Sequence, residues 1–224
     1  LLILIGLFIG YPHLTALDQG VMTLVQEHRG PTLDEIAVTF TLIGEFRNML
    51  LFSALLTGLL LLCRQWRQAL FAGGTLLCTA LANTATKNFF ARVRPEVLTD
   101  PLTSYSMPSG HASGAFALFL TLGVLAGRGQ PPRMRLTWLL LACLPALSIA
   151  LSRVYLGAHW PTDVLAGAML AACVCAASLW LNQRQTPLNA MPFKVWWLIL
   201  PALLALFSFF ALRHLPPAML RYAY

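Results

Sequence analysis

The chain has 224 residues, of which 58% are apolar and only 10% charged. Soluble domains carry about 25% charged residues, so this composition excludes a water-facing globular surface, and its apolar content excludes a disordered chain. Fifteen Lys and Arg against eight Asp and Glu give a net charge of +7, yet the cations are scattered between apolar runs and form no patch, which argues against nucleic acid as a partner. A polytopic membrane protein of one domain remains, with the bilayer as its solvent.

Apolar segments run over 1–16, 48–63, 68–90, 111–127, 137–157, 160–181 and 195–212. About 20 residues cross a hydrocarbon core, so 1–16 is too short if the chain starts at Leu1, and 48–63 is expected to extend into its flanks. Leu1 lies inside an apolar run with neither Met nor a basic n-region before it. No intact signal peptide is read there, and the chain is expected to begin inside a longer one. Residues 17–47 mix charges with Leu33, Ile36, Ala37, Phe40 and Ile43 at helical spacing, the pattern of an interfacial helix. Every span is expected to be helical, because lipid leaves no backbone group unpaired. The five cysteines, Cys63, Cys78, Cys143, Cys173 and Cys175, are odd in number and include no CxxC pair. They are expected as packed thiols, without a disulfide or zinc framework.

Charge sets the expected orientation. The short loops 64–67, 128–136 and 182–194 hold Arg64, Arg67, Arg128, Arg133, Arg135, Arg184 and Lys194 and no acid, while all eight acids fall on the opposite face. The positive-inside rule makes the loop-cation face cytoplasmic. Trp66, Trp138, Trp180, Trp196 and Trp197 near the same span ends fit an interfacial aromatic belt.

Ionisable groups at membrane depth are costly and mark function. Here they cluster in three places on the acid-bearing face: Lys87 to Pro95, Pro108 to His111, and Ser152 to Asp163. Lys87 and Arg94, seven residues apart, are expected two turns apart on one helix face, with Pro95 ending the helix; alone they read equally well as snorkelling cations. Pro108-Ser109-Gly110 reads as a helix start with Ser109 as cap, either a plain N-cap or an anion site at the free N–H groups. His159 and Asp163 are four apart around Pro161, a spacing that lets Asp163 accept a hydrogen bond from one ring nitrogen and leaves the other free to attack. Arg153 adds a guanidinium suited to phosphate oxygens. Three cations, two histidines, a carboxylate and a helix N-terminus suit a bound phosphate with a nucleophile and an acid. They lack the carboxylate cluster of a Mg²⁺ site.

These stretches resemble the signature of the type 2 phosphatidic acid phosphatase superfamily: a Lys, six residues and Arg-Pro; Pro-Ser-Gly-His; and Ser-Arg, five residues, His, three residues, Asp. Lys87 with Arg94-Pro95, Pro108 to His111, and Ser152-Arg153 with His159 and Asp163 meet it in full. The resemblance implies an all-α membrane protein with a six-span phosphatase core over 1–181, the 17–47 segment at its interface. Residues 182–224 would add a loop, a further span at 195–212 and a tail. It also implies cofactor-free, metal-independent hydrolysis of a lipid phosphate or pyrophosphate. His159 would be the nucleophile, Asp163 its orienting partner and His111 the acid and then base. Lys87, Arg94, Ser109, Gly110 and Arg153 would hold the phosphoryl oxygens. The chain is also similar to the phosphatase half of bacterial proteins that carry an upstream membrane domain, which would explain its start inside an apolar run; a bacterial inner membrane is expected, and by the charge division the site faces the periplasm or outside. Undecaprenyl pyrophosphate, phosphatidic acid, phosphatidylglycerol phosphate and a lipid A phosphate are the candidate substrates. Phe89, Phe90, Val93, Tyr155, Leu156 and Trp160 flank the site and read either as a lateral entry or as ordinary span-end packing. A lipid phosphotransferase is the alternative within the family, a vanadate haloperoxidase is disfavoured by the composition, and a non-catalytic lipid-binding protein is the alternative outside it.

Overall fold

A computed structural model describes residues 11–98 and 103–221. Among them lie eight helices and no strand: α1 (Tyr11–Glu27), α2 (Pro31–Ile43), α3 (Phe46–Leu62), α4 (Trp66–Phe90), α5 (Gly110–Ala126), α6 (Pro132–Tyr155), α7 (Pro161–Asn182) and α8 (Phe193–Arg221). The six expected segments from 48–63 onward each coincide with one of the helices α3 to α8. Of the expected 1–16 segment, residues 1–10 lie outside the described residues.

The short loops force neighbouring helices to run antiparallel. α5 occupies the middle, packed against α3, α4, α6 and α7. It buries Ala112, Ala115, Phe116, Ala117, Leu118, Val124 and Leu125, and its small residues let four neighbours approach closely. α6 has the opposite character: Leu136, Leu140, Leu141, Leu144, Leu147 and Leu151 are exposed. In a protein this apolar such a face meets lipid tails and not water. α4, α6, α7 and α8 are each long and apolar enough to cross a membrane, and α2 with α3, bent by 52°, passes the same test as a pair. α5 has only 17 residues, so among the described residues length and composition give four spans, or five with the bent pair.

The stretch 17–47 forms two helices and not one. Pro31 opens α2 at its first position, where the missing N–H costs nothing. α2 buries Ala37, Val38, Thr41, Leu42 and Ile43 against α6 and α8, and α1 packs against α6 and α7. The expected additional span, α8, rests on α2 and α3 with Val195, Ile199, Leu203 and Phe210 buried; the Phe210 ring meets Phe52 edge-on at 6.0 Å.

Candidate active site

The cationic wall starts at the end of α4. Lys87 lies in its last turn, and its Nζ donates to the Tyr105 carbonyl at 2.6 Å. The helix stops at Phe90, four residues short of Arg94, and Ala91 takes a left-handed conformation at φ 46°. Lys87 and Arg94 are therefore not two turns apart on one helix, as their spacing suggested. Pro95 disfavours helix at Arg94, and the chain runs on extended. Side chains alternate in an extended segment, so Arg92 and Arg94 turn inward while Val93 is 73% exposed. Arg94 donates to the Ser104 carbonyl (2.7 Å) and hydroxyl (2.9 Å) and to the Ala158 carbonyl (2.6 Å).

The other groups come from helix ends facing that wall. Ser109 caps α5, accepting from the Ala112 N–H at 3.4 Å, while its own N–H donates to the Asp163 carbonyl at 2.9 Å. The first N–H groups of a helix have no intrahelical acceptor, and Gly110 and His111 at this terminus line the cavity described below. At the end of α6 the Ala158 N–H donates to the Arg153 carbonyl and the Gly157 N–H to the Val154 carbonyl, each at 3.0 Å. Gly157 takes φ +69°. That is a Schellman closure, which favours glycine at the left-handed position. It places Arg153 and His159 side by side, with the His159 N–H also donating to the Arg153 carbonyl at 3.1 Å. Arg153 is 1% exposed, and its Nη1 donates to the Thr41 hydroxyl of α2 at 2.7 Å.

His159 sits at the centre of this arrangement, 1% exposed. Its Nδ1 lies 3.6 Å from Asp163 Oδ2, beyond hydrogen-bond length, so the direct His159–Asp163 bond expected from the spacing is not formed. Ser106 comes between them: its hydroxyl donates to Asp163 Oδ2 and lies 3.4 Å from Nδ1. With that hydroxyl hydrogen committed to Asp163, Nδ1–H is the donor to Ser106 and Nε2 keeps the lone pair. Arg94 Nη1 donates to Nε2 at 2.9 Å, which fits the same tautomer. Burial first, then the charges of Arg94, Arg153 and Lys87, hold the imidazole well below its ordinary value of 6.5.

Asp163 is itself tied down. It accepts from Arg92 Nη1 on Oδ1 at 2.7 Å and from the Trp160 N–H on Oδ2 at 2.9 Å. Arg92 Nη2 in turn donates to Asp18 of α1 at 2.6 Å. Asp18 also accepts from the Thr162 N–H at 3.0 Å and its hydroxyl at 2.5 Å. Arg92, Ser106, Asp18 and Thr41 escaped the sequence reading. Arg92 had a signal, its i,i+2 relation to Arg94 once that stretch is read as extended; the others lie outside the motifs.

A cavity of about 1150 Å³ opens at this end and continues between α3 and α4. Lys87, Arg94, Gly110, His111, Arg153 and His159 line its head, and Ser53, Ala54, Thr57, Gly73, Leu77 and Ala80 its deeper part. Ser109 and Asp163, both fully buried, stand behind the lining. His111 Nε2 is buried without a hydrogen-bond partner among the described residues. None of Phe89, Phe90, Val93, Tyr155, Leu156 and Trp160 borders the cavity, whose walls come chiefly from α3, α4 and α5. Among the described residues no three His, Cys, Asp or Glu side chains gather into a group able to hold a metal ion.

Known proteins are similar to this chain in sequence and in fold. Over 95 residues the chain is 39% identical to an undecaprenyl-diphosphatase of Sulfolobus acidocaldarius, covering 40% of each chain. Over 127 residues it is 35% identical to a decaprenylphosphoryl-5-phosphoribose phosphatase of Mycobacterium tuberculosis, covering 54% of this chain and 65% of that one. The chain thus spans two fifths and just under two thirds of the length of these curated relatives. The fold matches the crystal structure of a transmembrane PAP2 type phosphatidylglycerolphosphate phosphatase from Bacillus subtilis with a TM-score of 0.68 at 23% identity, over 78% of this chain and 88% of that one. The model of the PAP2 superfamily matches residues 68–187, more than half of the chain and all three polar clusters; this multi-pass membrane protein belongs to that superfamily.

Proposed function

We propose that the chain is an integral membrane lipid phosphatase that hydrolyses a phosphomonoester or pyrophosphate on a lipid headgroup through a phosphohistidine at His159. One observation carries this reading: the imidazole, three cations and a helix N-terminus sit at the head of a cavity whose body descends between two membrane helices. From Lys87 to Gly73 the α4 wall runs about 21 Å at 1.5 Å per residue, long enough for a hydrocarbon tail beneath a bound phosphate. The names of the relatives, with polyprenyl and glycerol phosphates among their substrates, support a lipid carrying at least one long chain.

The geometry supports the following sequence of steps. Lys87, Arg94, Arg153 and the α5 N-terminus at Gly110 hold the phosphoryl oxygens, with Ser109 capping that terminus from behind. Arg94 moves its hydrogen bond from His159 Nε2 to a phosphoryl oxygen, releasing the lone pair. Nε2 attacks phosphorus in line, the bond to the leaving oxygen breaks, and His111 gives that oxygen a proton. A water then attacks the phosphohistidine while His111 takes its proton, the P–N bond breaks and inorganic phosphate departs. The protein contributes mainly positioning and charge on the equatorial oxygens. The seven loop cations at the far ends of the helices support an outward-facing site in a bacterial inner membrane.

The test is phosphate release by the full chain in detergent or proteoliposomes from undecaprenyl pyrophosphate, phosphatidic acid, phosphatidylglycerol phosphate and lipid A phosphate. Release that persists in EDTA, is blocked by vanadate and falls roughly 10²–10⁴-fold in His111→Ala is expected. No release from any of these lipids, or release abolished by the chelator, would overturn the reading.

A further inference from the structure

Behind His159, away from the cavity, lies a chain of buried charges that no step of phosphoryl transfer touches. Asp18 and Asp163 are both 0% exposed and Arg92 is 7% exposed. Arg92 joins them, Nη2 to Asp18 at 2.6 Å and Nη1 to Asp163 at 2.7 Å, and Nη1 also donates to the Thr162 hydroxyl at 2.7 Å. Asp18 completes the link by accepting from both Thr162 donors at the start of α7. The three charges therefore lie on α1, on the extended segment after α4, and on α7.

We propose that Arg92, held by Asp18, is a positioning residue for His159, acting through Asp163. This rests on the phosphatase reading above. Two consequences of the geometry carry it. By occupying Oδ1, Arg92 turns Oδ2 toward Ser106 and the imidazole, so the Nδ1–H tautomer is fixed and Nε2 keeps its lone pair. The second is charge. When Nε2 bonds to phosphorus while Nδ1 keeps its hydrogen, the ring becomes cationic and needs a net negative neighbour. Arg92 alone would cancel Asp163, and without Arg92 two carboxylates would face each other in a dry site, where one takes up a proton. Asp18, Arg92 and Asp163 together keep Asp163 ionised and leave one net negative charge behind the ring. Burying three charges costs desolvation that an apolar trio would avoid, so packing alone does not account for them.

The experiment compares steady-state and rapid-quench kinetics of Arg92→Gln, Arg92→Lys and Asp18→Asn in the full chain, each made also in an Asp163→Asn background. We expect kcat to fall roughly tenfold or more in Arg92→Gln and Asp18→Asn, with KM and the vanadate inhibition constant within about threefold of wild type. The rate constant of phosphoenzyme formation falls at least as much as kcat while the folded fraction stays that of wild type, and Arg92→Lys, which can reach one carboxylate, recovers part of the loss. In the Asp163→Asn background the same changes cost no more than about twofold, as residues acting through one partner are not additive. If Arg92→Gln does not fold, Arg92→Lys and Asp18→Asn carry the same cycle. Unchanged kcat, an unchanged rate of phosphoenzyme formation, losses that simply add in the Asp163→Asn background, or a loss matched by a smaller folded fraction would overturn the proposal. A wild-type chain that releases no phosphate would instead overturn the phosphatase reading on which it rests.

Discussion

His159 is surrounded on one side by cations and on the other by oxygens, and the two sides ask different things of it. Arg94, Arg153 and Lys87 oppose a proton on the ring, and burial opposes it more, so the free site holds a neutral imidazole with Nε2 unprotonated. Because the folded value lies below 6.5, protonation begins only as pH falls well below the ordinary histidine range. Side-chain NMR of the free protein in micelles should find His159 still neutral at pH 6.5; a midpoint at or above that value would contradict the arrangement. The motif residues themselves were legible in the sequence, because chemistry at membrane depth stands out against an apolar background. Ser106 was not. It interrupts the His159–Asp163 contact from a loop residue 53 positions away from the histidine, and no local spacing encodes that.

The helix breaks deliver these side chains as much as the helices do. Between α2 and α3 the chain bends by 52° at Gly44, where an added Cβ would lie 2.5 Å from Ile149 Cγ2 and 2.8 Å from His111 Cδ2. The glycine leaves room for the histidine proposed as acid, and Ile149 is 1% exposed and cannot yield easily. Gly44→Ala should therefore cost about 1–3 kcal/mol in unfolding free energy and lower kcat by up to about 10²-fold as His111 is displaced. A wild-type melting temperature with a wild-type rate would show that the bend does not position His111. Helix bodies were readable from apolar runs: the expected 160–181 is observed as Pro161–Asn182. The mixed charges and apolar spacing of 17–47 predict an interfacial helix and do not say which of its polar side chains are buried. Asp18 is fully buried on α1 and Thr41 fully buried on α2, each holding an arginine of the site. Only tertiary packing reveals which polar residue of an amphipathic stretch turns inward.

Across the whole molecule, antiparallel packing gathers the ends of α4, α5, α6 and α7 at one face, and the break between α2 and α3 closes the same site from the side. The convergence was legible, since short loops between spans leave little choice of topology. The side on which a lipid would enter was not. The aromatic and aliphatic residues beside the motifs fit an entry or ordinary packing equally well, whereas the cavity extends between α3 and α4, where small and hydroxylated residues such as Ala54, Thr57, Gly73 and Ala80 leave space. Absent bulk is harder to read in a sequence than present chemistry. The account stands on His159 taking phosphorus from a headgroup held at the top of that cavity. Rapid-quench trapping with a lipid labelled on its terminal phosphate tests this most directly. The account predicts an acid-labile, base-stable phosphoprotein that mass spectrometry maps to His159, absent from His159→Ala; label on another residue, or equal label in His159→Ala, would contradict it.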